Sequence, residues 1–151
     1  GYPEGHREDG LPPDPAFAGS PEYLAQIDFL RRKVDAGADF IVTQLCFDLD
    51  RLSRYRDDCR RAGIGCPIVP GLLPIHGAVT WHKIATFSAS VPDGLGARFA
   101  QAESGGQPAI EDFAVSLLHE QLDTLHSRGF HAVHLYTLNH ERLISRALAM
   151  N

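Results

Sequence analysis

The sequence predicts an α/β fold: about three parallel strands with flanking helices. Two handovers carry that prediction. Asp35-Ala36-Gly37-Ala38-Asp39 leads from a helix into Phe40-Ile41-Val42-Thr43-Gln44. Cys66 then leads into Pro67-Ile68-Val69-Pro70-Gly71, which runs on as Leu72-Leu73-Pro74. Both runs are continuously apolar instead of alternating, as a parallel strand covered on both faces requires. Each ends in residues that can do chemistry, which in a parallel β/α protein places the site beyond the strand ends.

Each element has a local reason. Residues 7–19 read as a loop, because Gly10, Pro12, Pro13, Pro15 and Gly19 break regular structure. The first helix begins at Ser20 as N-cap, with Pro21 at its first position and Glu22 favourable to the dipole. Leu24, Ile27, Leu30 and Val34 recur at helical spacing and are expected to face the core, and Gly37 stops the helix. Phe40–Thr43 is the first strand. Asp48 or Asp50 caps the second helix, whose inner stripe is Leu52, Tyr55, Cys59 and Ala62, and Gly63 ends it. Pro67–Gly71 is the second strand, with Pro67 suited to its first residue and Pro70 to its end. Helices follow over about 79–89 and from Val91-Pro92-Asp93. Ser104–Pro108 reads as a hinge loop. A long helix runs over 109–128, with Phe113, Leu117, Leu118, Leu122 and Leu125 inside and Gly129 as stop. Ala132–Leu138 is the third strand, and a last helix over 140–150 is capped by Asn139.

The 151 residues carry 44% hydrophobic and 22% charged side chains, the make-up of one globular domain with a real core. A net charge of −5 argues against nucleic acid as a partner, and the Arg/Asp alternation over 54–60 reads as a solvated helix face. Three cysteines without a C-x-x-C pair suggest reduced thiols and a cytoplasmic location. No run approaches a membrane span, and no signal peptide opens the chain. Gly1 is not an initiator, so the expectation is a trimmed chain or a fragment. No metal is expected. His131 and His134 point to opposite faces of a strand, and His119 and His126 are seven apart on a helix. Cys46 has no base nearby in the sequence and reads as a packed thiol.

Four stretches, in order, carry a family likeness: Tyr2-Pro3-Glu4-Gly5-His6, Lys33 to Gln44, Pro67 to Ile75, and His134-Leu135-Tyr136-Thr137-Leu138-Asn139. With them the chain resembles the methylenetetrahydrofolate reductase family. These flavoenzymes reduce 5,10-methylenetetrahydrofolate to 5-methyltetrahydrofolate. The resemblance implies the C-terminal part of a (β/α)8 TIM barrel, from the end of strand five through the helix after strand eight. Residues 1–151 would then be a single partial barrel domain. It implies FAD as cofactor and NAD(P)H and a folate as partners. It also implies that the catalytic glutamate lies in the first half of the barrel, outside this chain. On that resemblance Tyr2, His6 and Lys33 contact FAD, and Gln44, Thr80 and His140 contact folate.

Each residue also has a structural reading. Gln44 caps the strand-to-helix turn, Lys33 favours the helix dipole, and Tyr2 and His6 are terminal residues. Some positions depart from the family pattern. Thr80 stands where some members have a second glutamine, His140 where they have an arginine for a glutamate carboxylate, and Gln26 where an acidic FAD contact is expected. Three strands cannot close a barrel of eight, so edges stay unpaired and a face uncovered. That leads to two expectations for the chain alone: a catalytically incompetent part of the reductase, or a non-catalytic module that self-associates or pairs with a complementary half. A different flavin barrel, of the proline dehydrogenase type, fits the Tyr-Pro-Glu and Tyr-Thr-Leu-Asn stretches less well.

Overall fold

The computed structural model describes residues 1–3, 18–87 and 91–149. His6, most of the expected loop over 7–19 and Met150 lie outside them. Among the described residues the order is α1 (Pro21–Asp35), β1 (Ile41–Leu45), α2 (Leu49–Arg61), β2 (Ile68–Leu72), α3 (Ala78–Phe87), α4 (Leu95–Ser104), α5 (Gln107–Ser127), β3 (His134–Leu135) and α6 (Glu141–Leu148). The strands form one parallel sheet in the order β1-β2-β3. This is α/β architecture with helices on the connections, the arrangement of part of a TIM barrel. Gly1 extends the sheet beyond β1: its nitrogen donates to the Val42 carbonyl and its carbonyl accepts from Gln44 N, both at 2.7 Å. A neighbouring parallel strand makes that same pattern.

The helix ends follow local chemistry. The Ser20 hydroxyl accepts from Tyr23 N at 3.1 Å, and the Asp48 carboxylate accepts from Arg51 N at 2.9 Å. Gly37, Gly63 and Gly129 have φ of +112°, +85° and +79°, a region in which a side chain is strained. Of the expected inner face of α1, Ile27, Leu30 and Val34 pack on the core, while Leu24 is 56% exposed and Tyr23 is buried in its stead. Arg56 leaves the expected solvated face of α2. Its guanidinium donates to the Arg128 carbonyl at 2.6 Å and lies 4.6 Å from the Phe130 ring centroid, fastening α2 to the end of α5.

Pro70 does not end β2; it sits in the middle of the central strand. Its ring removes a ladder donor. The sheet absorbs the loss in β1, where Val42 pairs with Val69 and Leu45 with Gly71, so that Thr43 and Gln44 together face Pro70. Gly71 N then donates to the buried Thr43 hydroxyl at 2.9 Å, and the Tyr136 hydroxyl donates to the Thr43 carbonyl at 3.1 Å. Only glycine fits at 71: a Cβ there would lie 2.5 Å from the Thr43 carbonyl oxygen and 2.7 Å from Tyr136 Cε2.

Further expectations are corrected. β1 runs to Leu45, and Phe40 is 58% exposed before it. Burial in β1 alternates: Ile41, Thr43 and Leu45 are buried, and Val42 and Gln44 are half-buried, whereas Pro70, Gly71 and Leu72 of β2 are buried in succession, so full cover on both faces is confined to the end of the central strand. β3 is two residues long because its partner β2 stops at Leu72. The hinge at 104–108 shrinks to Gly105-Gly106, since Gln107 and Pro108 already belong to α5. Asn139 does not cap α6. It takes φ +63° beside Leu138 at φ +48°, and His140 occupies the N-cap position without a side-chain bond.

Three apolar groups make the core. Leu52, Leu72, Leu118 and Leu125 join β2 to α2 and α5. Leu73, Ile75, Ile84, Phe99 and Ile110 fill the space under α3, α4 and α5. Tyr23, Ile27, Ile41, Tyr55, Cys59 and Ile64 lock α1 and α2 to β1. The three cysteines are free, and burial pushes the Cys59 thiol up to about 11. No helix among the described residues is long and apolar enough to cross a membrane.

Two outcomes follow from the packing. Gly71→Ala should cost about 3 kcal/mol, because the methyl meets backbone and a ring tied at its hydroxyl. The urea midpoint should fall with an unchanged slope; a wild-type midpoint would remove the tight crossing. With iodoacetamide at about pH 8, Cys66 should be modified first, and Cys59 only as the chain unfolds. Early labelling of Cys59 in peptide mass spectra would contradict its burial.

Candidate functional site

Two regions gather the residues that carry chemistry. The first is a cavity of about 420 Å³ against α1, lined by Tyr2, Tyr23, Gln26, Phe29, Lys33 and Tyr55 among others. The sequence separates Tyr2 from Gln26 and Lys33, and the pairing of Gly1 with β1 brings them together. Gln26, Phe29 and Lys33 recur at helical spacing and share a side of α1. Lys33 Nζ stands 4.5 Å from the Phe29 ring centroid, and the Arg32 guanidinium stands 5.3 Å from the same ring. Phe29 is 52% exposed and Tyr2 is 47% exposed, so open aromatic surface lies beside an ammonium group. Such a wall suits a ligand with flat rings and anionic groups. Deeper in, the Tyr23 hydroxyl donates to the Asp58 carboxylate at 2.8 Å, and burial above all raises the Tyr23 phenol well beyond its ordinary value. That phenol stays neutral and shapes the cavity.

The second region lies past the carboxyl ends of the strands. Gln44, the fourth residue of β1, is half-buried, and its amide oxygen accepts from Leu45 N at 3.3 Å. This is the capping arrangement. It employs the oxygen alone, and among the described residues nothing pairs with the Gln44 NH2. One side chain can therefore cap the turn and still offer a donor.

Thr80 and His140 meet through a residue that sequence reasoning missed, His76. Thr80 is 3% exposed on α3, and its hydroxyl lies 2.9 Å from His76 Nε2. The ring of His76 stacks on that of His140, with centroids 3.5 Å apart and planes inclined by 32°. The positive φ values at Leu138 and Asn139 turn the chain after β3, and His140 N donates to the Thr137 carbonyl at 2.9 Å. This sharp turn delivers His140 to His76. The sequence did hold a signal for His76: it follows Leu73-Pro74-Ile75 beyond β2 and precedes Thr80 by one helical turn. Burial first, then His140, lowers His76 from the ordinary imidazole value. His6 lies outside the described residues, so its place relative to either region stays an expectation. Among the described residues no three His, Cys, Asp or Glu side chains cluster as metal ligands do.

Comparison with known proteins assigns this geometry to a family. Residues 1–150 match the family model described as methylenetetrahydrofolate reductase. The chain is 37% identical over 145 residues to methylenetetrahydrofolate reductase (NADH) 1 of Arabidopsis thaliana, covering 92% of this chain and 23% of that protein. It is 35% identical over 143 residues to methylenetetrahydrofolate reductase (NADH) 1 of Zea mays, covering 94% of this chain and 24% of that protein. With the probable methylenetetrahydrofolate reductase (NADPH) of Caenorhabditis elegans it shares 31% identity over 150 residues, 98% of this chain and 21% of that protein. The chain thus spans under a quarter of the length of these relatives. A strand-end site, a cavity against α1 and a match along almost its whole length agree: this chain belongs to the methylenetetrahydrofolate reductase family.

Proposed function

We propose that this chain is the part of a FAD-dependent methylenetetrahydrofolate reductase that holds the flavin's anionic portion and one side of the folate, and that turnover requires the remaining strands of the barrel. The observation that carries this reading is the convergence of Tyr2, Gln26 and Lys33 on one cavity. FAD fits the donor set there: exposed rings at Tyr2 and Phe29 for stacking, an ammonium at Lys33 for phosphate, and a neutral amide at Gln26 for hydroxyl groups. When bound, FAD would supply the carriage of hydride between NAD(P)H and the folate. The chain's own residues bind and orient. Lys33 places positive charge against phosphate oxygens, and the Gln44 NH2 donates to an acceptor on the pterin edge. Thr80 and His140 flank the remainder of the substrate. No group of this chain is assigned as the catalytic acid. The relatives' names include both NADH and NADPH, so the donor is written NAD(P)H.

A second reading, a non-catalytic assembly module, is favoured by the exposed apolar residues Leu24, Phe29 and Phe40. Both readings expect a partner on that side, either a second copy or a complementary half. Flavin fluorescence titration together with sedimentation separates them. The chain alone should bind FAD weakly. Supplied in trans with a segment carrying the remaining strands, it should retain FAD, and Lys33→Ala should weaken retention about tenfold. If the joined halves hold no flavin, the assembly reading prevails. Stoichiometric FAD on the monomeric chain would show that the rest of the barrel is dispensable for the cofactor.

A further inference from the structure

A third cavity lies apart from both regions, between α4, α5 and the loop that follows β1, and one residue in it breaks the pattern of its helix. Leu117, Gln121 and Leu125 are spaced four apart along α5 and all three are buried. The middle position of such a row calls for an apolar side chain, yet it carries an amide that is only 6% exposed. Among the described residues nothing pairs with that amide. No fully enclosed side-chain nitrogen or oxygen among them lacks a partner, so the small exposure of Gln121 includes its amide, and the cavity is where it opens. A buried amide left without a partner costs stability, so its retention points to something that pairs with it.

The surroundings define what that is. The cavity measures about 200 Å³. An apolar cavity of about 150 Å³ takes one benzene, so there is room here for one substituted six-membered ring. Phe47, Leu95 and Leu117 supply apolar wall, and Phe47 and Leu117 are themselves buried. The charges at the rim are already spent, save one. Arg98 of α4 donates to both oxygens of Glu120 of α5, at 2.9 and 2.7 Å, and this bidentate pair closes one side. Asp93, just before α4, has no hydrogen-bond or ion-pair partner among the described residues. A free carboxylate disfavours an anion and welcomes an N–H donor. The Gln121 amide offers one donor and one acceptor side by side, and its complement is an edge with an acceptor beside a donor.

We propose that this cavity binds a single heteroaromatic ring with an amino group beside a ring nitrogen, read by the amide of Gln121 and the carboxylate of Asp93. The Gln121 NH2 donates to the ring nitrogen. The amino group donates one hydrogen to the Gln121 oxygen and the other to Asp93, and the ring lies between Phe47, Leu95 and Leu117. This site stands apart from the flavin and folate reading, and neither depends on the other. A ring held here joins α4 and α5 to the loop that begins beyond Leu45.

The test is an isotope-labelled NMR titration of the 151-residue chain with 2-aminopyrimidine, with pyrimidine and toluene as comparators. The Gln121 side-chain NH2 signals should move saturably with 2-aminopyrimidine. It should bind about tenfold more tightly than toluene, which has the ring without the polar edge, and pyrimidine should fall between them. Gln121→Leu should erase that preference and raise the urea midpoint of the free chain, because the unpartnered amide is gone. Asp93→Asn changes an exposed residue, so it remains informative if Gln121→Leu fails to fold. It should weaken 2-aminopyrimidine about threefold and leave toluene unchanged. Equal binding of the three probes, a preference that survives Gln121→Leu, or wild-type affinity in Asp93→Asn would overturn the proposal. So would Gln121 signals that never saturate, since water alone would then serve the amide. A lower urea midpoint in Gln121→Leu would show that the amide has a partner within the chain, and would overturn it as well.

Discussion

The crossing of β1 and β2 at Gly71 governs the rest of the fold. Pro70 takes a donor out of the central strand, where a sheet tolerates the loss least. Two residues of β1 face it in compensation, and the Thr43 hydroxyl accepts the Gly71 N–H that a regular ladder would have paired with a carbonyl. This frees the Thr43 carbonyl to accept from the Tyr136 hydroxyl, which ties β3 across β2 to β1. Three strands are thus held together at their carboxyl ends by one hydroxyl, one missing side chain and one phenol. β3 pairs with β2 through two residues only, so the phenol fixes its position as much as the ladder does.

The same crossing sets where the chemistry stands. Gln44 is one of the two residues that face Pro70, and its position just past Thr43 leaves it half-buried at the strand end. Tyr136, anchored by its hydroxyl, leads directly into the left-handed turn at Leu138 and Asn139 that presents His140. Holding a leucine there costs about 1 kcal/mol. It is retained where the next residue but one meets His76. The Pro-Gly step therefore organises both halves of the strand-end region, and it contributes no side chain that a ligand could touch.

Some of this was legible in the sequence, and the division has a physical cause. Ser20, Asp48, Gly37, Gly63 and Gly129 act within a few residues of themselves, so their caps and stops could be read directly. The family stretches likewise identified the family. Pro70 was misplaced because a proline normally ends a strand, and the relief comes from a bulge on another strand. Leu24 gave way to Tyr23 because the helix turns toward Asp58, which offers the phenol a partner, and a hydrophobic count carries no such information. Asn139 has the composition of a cap but the backbone of a turn. His76 went unnoticed because its meaning comes from His140, brought to it by the third strand.

The open face explains why the cavity against α1 and the strand-end cluster differ in character. A closed barrel would bury both sides of every strand, yet Val42 and Gln44 remain half-exposed and the rings of Phe29 and Phe40 face solvent. The α1 cavity is lined by the exposed rings of Tyr2 and Phe29. Its rings and its lysine therefore gain their low-dielectric surroundings only when something covers them, because an exposed ammonium interacts weakly through water. The His76–Thr80–His140 cluster depends less on completion. Thr80 is buried and His76 is held within this chain, so the ring pair already exists in the segment alone. Cofactor affinity should thus be the property that assembly creates, whereas the His76–His140 ring pair is built into the fold of this segment.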